Sequence, residues 1–292
     1  MSTRVIENEK IRLEVALVGA EIKSLIRKSD GKEMMWQADP KFWGRTSPVL
    51  FPLVGNYFEK KTVFEGKTYE MGQHGFARDM EFKLVKEAED ELLFELRDTE
   101  ETRKNYPFSF ILTVGYKIAG SKVTVSWIVE NNNDRTMYFS IGGHPAFNCD
   151  LDTYTLRFEK NGKPNEFVIS NVIADDGSCC MSDETKRYDL ENGVLHMSDE
   201  LFARDALVIE KYQTDKLTLV GPDGKDEVAV SLDVPLFGVW SPTMKHAPFV
   251  CIEPWCGRCD RVGYNKGLEN REYGNTLKAG EKFDTSYDIE VF

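Results

Sequence analysis

Apolar and polar residues alternate with a period of two along much of this chain. Ile11, Leu13, Val15 and Leu17 alternate with Arg12, Glu14 and Ala16; Val123, Val125, Trp127 and Val129 alternate with Thr124, Ser126 and Ile128. The last stretch repeats the pattern with Phe283, Thr285, Tyr287, Ile289 and Val291. A period of two puts successive side chains on opposite faces of an extended backbone, so these runs predict half-buried strands. Asp30-Gly31, Gly120-Ser121, Gly162-Lys163 and Asp223-Gly224 fall between such runs as turn signals. Phe110 to Ile118 with Lys122 to Glu130 reads as a hairpin, and so does Leu217 to Val220 with Glu227 to Leu232. Helical periodicity is confined to two short candidates, Asp98 to Asn105 and Ser198 to Ala203. No Pro/Ser-rich linker, charge block or repeat divides the chain. The expectation is an all-β protein: one large antiparallel β-sandwich or barrel over residues 1–292, with few short helices.

Composition narrows the possible partners. With 292 residues and 41% hydrophobic residues the chain can build a sizeable core. A net charge of −12 repels phosphate backbones and anionic bilayers, which argues against nucleic-acid and membrane partners. No run approaches the roughly 18 apolar residues of a spanning helix. The charged start, Met1-Ser2-Thr3-Arg4, has no secretory apolar core, so the cytoplasm is the default location. The six cysteines are then expected to be reduced and mostly structural. Cys256-Gly257-Arg258-Cys259 has the spacing of half a zinc site but lacks a second pair.

Candidate chemistry concentrates in a few segments. His74 lies in Gln73-His74-Gly75-Phe76-Ala77-Arg78, and His144 in Gly142-Gly143-His144-Pro145-Ala146-Phe147. Adjacent glycines leave room for a ligand. A satisfied structural histidine is the competing reading for each. Glu253 ends the apolar run Phe249-Val250-Cys251-Ile252 and precedes Pro254. A carboxylate there is either surface-exposed at a strand end or buried for a purpose, because unpaired burial costs several kcal/mol. Both His144 and Glu253 precede a proline, which stiffens the backbone that carries them. Arg45 and Arg78 sit among aromatics and glycines, where guanidinium groups can hold hydroxyls or a phosphate. Trp43, Phe76, Trp240 and Trp255 could stack on a sugar face.

Taken together and in this order, these segments resemble the aldose 1-epimerase (galactose mutarotase-like) family. Gly19-Ala20-Glu21-Ile22, Pro48 to Pro52 and Tyr106-Pro107-Phe108-Ser109-Phe110 belong to the same likeness, which runs from about Gly19 to beyond Glu253. The bacterial LacX-type branch and the hexose-6-phosphate 1-epimerases are nearest in pattern. The resemblance implies a β-supersandwich with a sugar cleft on a concave face. It implies Glu253 as catalytic base, His144 as catalytic acid and His74 as a second histidine that holds and polarises the sugar. It further implies Arg45 and Asp205 as sugar-binding residues, and both Arg45 and Arg78 as positions that contact a phosphate in the hexose-phosphate epimerases. No metal or organic cofactor is implied. The expected reaction is interconversion of the α and β anomers of a hexose or hexose 6-phosphate, with a protonated His and an ionised Glu sharing acid–base work. Two alternatives stand beside it. One is a non-catalytic carbohydrate-binding protein of the same fold. The other is a metal site built from His74, His144 and Glu253, which the wide ligand spacing disfavours.

Overall fold

The computed structural model describes residues 2–292. Antiparallel strands dominate, in one ten-stranded and one eight-stranded sheet with smaller sheets at the periphery. The first predicted hairpin forms as Phe110–Ala119 with Lys122–Asn131, and the second as Lys216–Val220 with Asp226–Leu232. Both helical candidates are also present, shorter than predicted. Glu100–Asn105 is capped by Thr99, whose hydroxyl accepts from the Thr102 N–H while the Thr102 hydroxyl accepts from the Thr99 N–H. Asp199–Phe202 is a single 3₁₀ turn capped by Ser198. Among the described residues no helix is long and apolar enough to cross a membrane.

The two large sheets meet across aromatic contacts. Phe158 of the ten-stranded sheet lies 6.4 Å from Phe237 of the other, and Phe110 lies 4.9 Å from Phe51 beside the Val49–Leu50 strand. Burying such rings supplies the main drive for closing the sandwich. The C-terminal strand Lys282–Val291 is not at an edge: it runs between Lys122–Asn131 and Asp226–Leu232.

The eight-stranded sheet positions the site. Its Phe249–Cys256 strand is buried along its whole length, yet its two faces differ. Val250 and Ile252 point into the main core, whereas Phe249, Cys251 and Trp255 belong to separate clusters on the other face. Period-two alternation therefore puts Glu253 on that second face. This explains a run that reads as continuously apolar: the strand is covered on both sides.

Candidate active site

Sheet register brings the predicted acid and base together. Ile141–Gly143 and Ala146–Asn148 both pair with Phe249–Cys256, through Gly142↔Trp255 and Ala146↔Cys251. One register serves both sides of the break, so His144 falls opposite Glu253. On its other side His144 donates its N–H to the Pro48 carbonyl at 3.1 Å, and Ala146 donates to Thr46 at 3.0 Å. Glu21 fixes that neighbouring segment: its carboxylate accepts from the N–H groups of Thr46 (2.7 Å) and Ser47 (2.9 Å). Gly143 faces the core, where an added Cβ would lie 2.9 Å from the Tyr287 hydroxyl and 3.2 Å from the Trp127 ring. Its successor, His144, consequently points the other way, into a cavity of about 370 Å³ that it lines together with Glu253, His74, Arg78 and Asp205. That volume is in the range of small-molecule sites. Gly238, opposite Glu253 on the next strand, is covered by the Trp255 ring and leaves no room for a side chain.

His144 Nε2 lies 3.3 Å from Glu253 Oε2. The imidazole stacks on Trp43 at 4.6 Å and meets Trp240 edge-on at 5.4 Å. Its Nδ1 and Glu253 Oε2 are both buried without a hydrogen-bond partner. Burial, reinforced by the Asp205 carboxylate, raises the Glu253 pKa well above the usual carboxylate range. Burial also lowers His144 to about 3, with the charges of Arg78 and Arg45 acting in the same direction. Both shifts favour the neutral forms of the pair, with the proton on Glu253, over the ion pair expected from free-solution values. Burial strips hydration from the charged forms, a loss that mutual attraction repays only where further hydrogen bonds satisfy both groups.

His74 completes a three-sided arrangement, its ring 5.7 Å from His144 and nearly perpendicular to it. It sits in the left-handed region at φ 66°, held by reciprocal bonds with Gly55. The His74 N–H donates to the Gly55 carbonyl at 2.8 Å, and the Gly55 N–H donates to His74 Nδ1 at 3.1 Å. Since Nδ1 accepts, Nε2 carries the proton of the neutral ring. Burial, then His144 and the two arginines, depress its pKa well below 6.5.

The remaining predicted residues divide. Arg78 lines the cavity, donates to the Gln73 carbonyl at 2.7 Å and keeps a buried Nε that makes no hydrogen bond and lies 3.8 Å from Asp79 Oδ2. Asp205 also lines the cavity, at φ 69°, its pKa raised by burial against the pull of the Ala206 N–H and the Trp240 indole. Arg45 does not reach the cavity wall: it pairs with Asp79 at 2.7 Å beside Arg78. Of the four candidate stacking aromatics, Trp43, Trp240 and Trp255 line the cavity. Phe76 does not; it packs on Phe110 at 6.1 Å and borders a separate groove. His74 is likewise outside the cluster that could hold a metal, in which Cys251 joins His144 and Glu253. Sequence reasoning missed Cys251, which reads as one more apolar strand residue, and Cys179, which lines the cavity beside Asp205. It also missed the part of Glu21, although Gly19-Ala20-Glu21-Ile22 was noted as part of the family likeness. All six cysteines are free.

A supersandwich with a polar, aromatic-walled cavity and an opposed histidine–glutamate pair defines a class of sugar-ring proteins. The sequence profile of aldose 1-epimerases matches residues 2–290, and the chain belongs to that family. It is 28% identical to protein LacX (plasmid) of Lactococcus lactis subsp. lactis over 299 aligned residues, 98% of each chain. The galactose mutarotase related enzyme of Lactobacillus acidophilus superposes with a TM-score of 0.93 at 34% identity, covering 100% of this chain and 97% of that one. A galactose mutarotase-like protein of Lactobacillus casei gives 0.91 at 29% identity, with 100% of both chains covered.

Proposed function

We propose that this chain interconverts the α and β anomers of an aldose, a hexose or its 6-phosphate, by opening and reclosing the ring. The observation that carries this reading is the His144–Glu253 pair, 3.3 Å apart and facing one cavity. Ring opening removes the proton of the C1 hydroxyl and delivers a proton to the ring oxygen. The neutral pair holds one proton. Moving it from Glu253 to Nε2 of His144 creates a carboxylate base and an imidazolium acid together. Glu253 takes the C1 hydroxyl proton and His144 protonates the ring oxygen. Rotation about C1–C2 and closure on the opposite face, with the proton transfers reversed, give the other anomer. The Nε2–H of His74 donates to a sugar oxygen, and Asp205 binds hydroxyl groups. Arg78, with Arg45 beside it, supplies the positive end of the cavity, where a phosphate would be held. An acid and a base so placed contribute about 10²–10⁴-fold each.

The test follows the optical rotation of fresh α-D-glucose and α-D-galactose, and glucose 6-phosphate by NMR exchange, with wild type and Glu253→Gln. Acceleration that Glu253→Gln abolishes is the expected result, and the better substrate chooses between free and phosphorylated sugar. Binding of a sugar without acceleration of any substrate would overturn the proposal in favour of carbohydrate recognition. If Arg78→Ala left the rates on both substrate types unchanged, the phosphate role of Arg78 would be wrong.

A further inference from the structure

The cavity face of the Phe249–Cys256 strand carries a third donor that sugar chemistry leaves idle. Cys251 stands two residues before Glu253 on the same face and is fully buried. His144, Cys251 and Glu253 each offer one ligand atom, and these atoms all lie within 4.8 Å of one another. Glu253 Oε2, one of those atoms, is buried without a hydrogen-bond partner. The spacing fits a particular coordination. Zinc bonds of about 2.0–2.2 Å to nitrogen and oxygen, at tetrahedral angles, set those donors about 3.3–3.6 Å apart. The observed separation of Nε2 and Oε2 is 3.3 Å. The thiol supplies the soft ligand that favours zinc or cadmium over magnesium and calcium, which prefer all-oxygen sites. His144 and Glu253 line the cavity, so a fourth position there opens to a water or a sugar hydroxyl.

We infer that His144, Cys251 and Glu253 form a site for a single soft divalent cation, zinc or cadmium, and that its binding inhibits the enzyme by capturing the acid–base pair. As the ion enters, the thiol proton and the proton held by the pair leave to solvent. Inhibition rests on the turnover proposed above; the site itself does not.

Cadmium titrated into the full chain reads the site directly through the ultraviolet charge-transfer band of a cadmium–thiolate bond. The expected band saturates at a single ion per chain, persists in Cys179→Ser and is lost in Cys251→Ser. Cys179 is the control because it is the one cysteine that is only half-buried. Zinc is expected to stop anomer exchange in the wild type, with recovery on adding a chelator. Cys251→Ser should retain exchange and need about tenfold more zinc or above for the same inhibition. Cys251→Ala, with folding checked by circular dichroism, replaces Cys251→Ser if the serine hydroxyl is not tolerated in this buried place. Absence of the band in wild type, its loss in Cys179→Ser, or its persistence without Cys251 would overturn the inference, as would zinc inhibition that ignores Cys251. A chain that shows the Cys251-dependent band yet exchanges no anomer would support the site and sink the turnover reading instead.

Discussion

Glu253 shows what the site costs the fold. Its carboxyl is buried, one oxygen has no partner, and its pKa is raised by burial and Asp205. A group whose folded pKa is raised stabilises most below its unfolded value of 4.5 and loses that contribution as pH rises toward the folded pKa. Glu253→Gln is therefore expected to raise stability near neutrality by about 1–3 kcal/mol, even as it removes exchange activity. The gain should vanish near pH 4, where the unfolded carboxyl is protonated too. Urea denaturation at both pH values checks this, and a less stable variant at neutral pH would contradict it. Much at this scale was legible: an acid ending an apolar run admits only exposure or purposeful burial, and glycines with a following proline marked His144. The protonation states were not, because they depend on burial and on arginines distant in sequence. Nor was the proximity of Cys251, whose thiol is chemically inconspicuous among Val250 and Ile252.

At the level of elements, adjacent strands do the positioning. Gly143 gives His144 its direction by letting Tyr287 and Trp127 close against the backbone behind it. Gly143→Ala is expected to destabilise the protein by about 1–3 kcal/mol through overpacking and to slow exchange by displacing the imidazole. Thermal unfolding and polarimetry measure the two effects, and an unchanged rate would show that His144 is held independently of its neighbour. Hairpins were readable because their causes are local, as where Gly120-Ser121 turns one of them; the two short helical segments were placed, but their starts fall one or two residues later, where Thr99 and Ser198 cap them. Glu21 bonding to Thr46 and Ser47 had no such local cause. A glutamate in a strand-like run looks like a solvated side chain until the fold places two orphan N–H groups against it.

For the molecule as a whole, alternation and turn signals sufficed to read an antiparallel sandwich, but not strand order. Lys282–Val291 lies between strands that begin at residues 122 and 226, a pairing no local pattern encodes. Net charge shows the same separation of local from global. The chain carries −12 overall, while His74 and His144 feel the positive charges of Arg78 and Arg45. Both histidines are buried neutral, with folded pKa values below 6.5. Their contribution is present above 6.5 and is lost as pH falls below it, because the unfolded chain takes up protons that the folded chain refuses. Urea midpoints of Glu253→Gln, which lacks the opposing carboxyl, are expected to decline from about pH 6.5 downward; a flat profile to pH 5 in that variant would mean that the histidines are solvated. The shared register of His144 and Glu253 carries one more consequence. A hydrogen-bond ladder slips only in whole residues, and side chains return to the same face only after two. The gap between His144 and Glu253 is thus quantised, whereas Arg45 and Asp205 stand outside the helices and strands and Arg78 on a single 3₁₀ turn, none of them tied to that ladder. If the proposed exchange holds, descendants of this scaffold can change which sugar they hold by small steps while keeping the His144–Glu253 spacing, so specificity is expected to diverge through KM before it touches kcat.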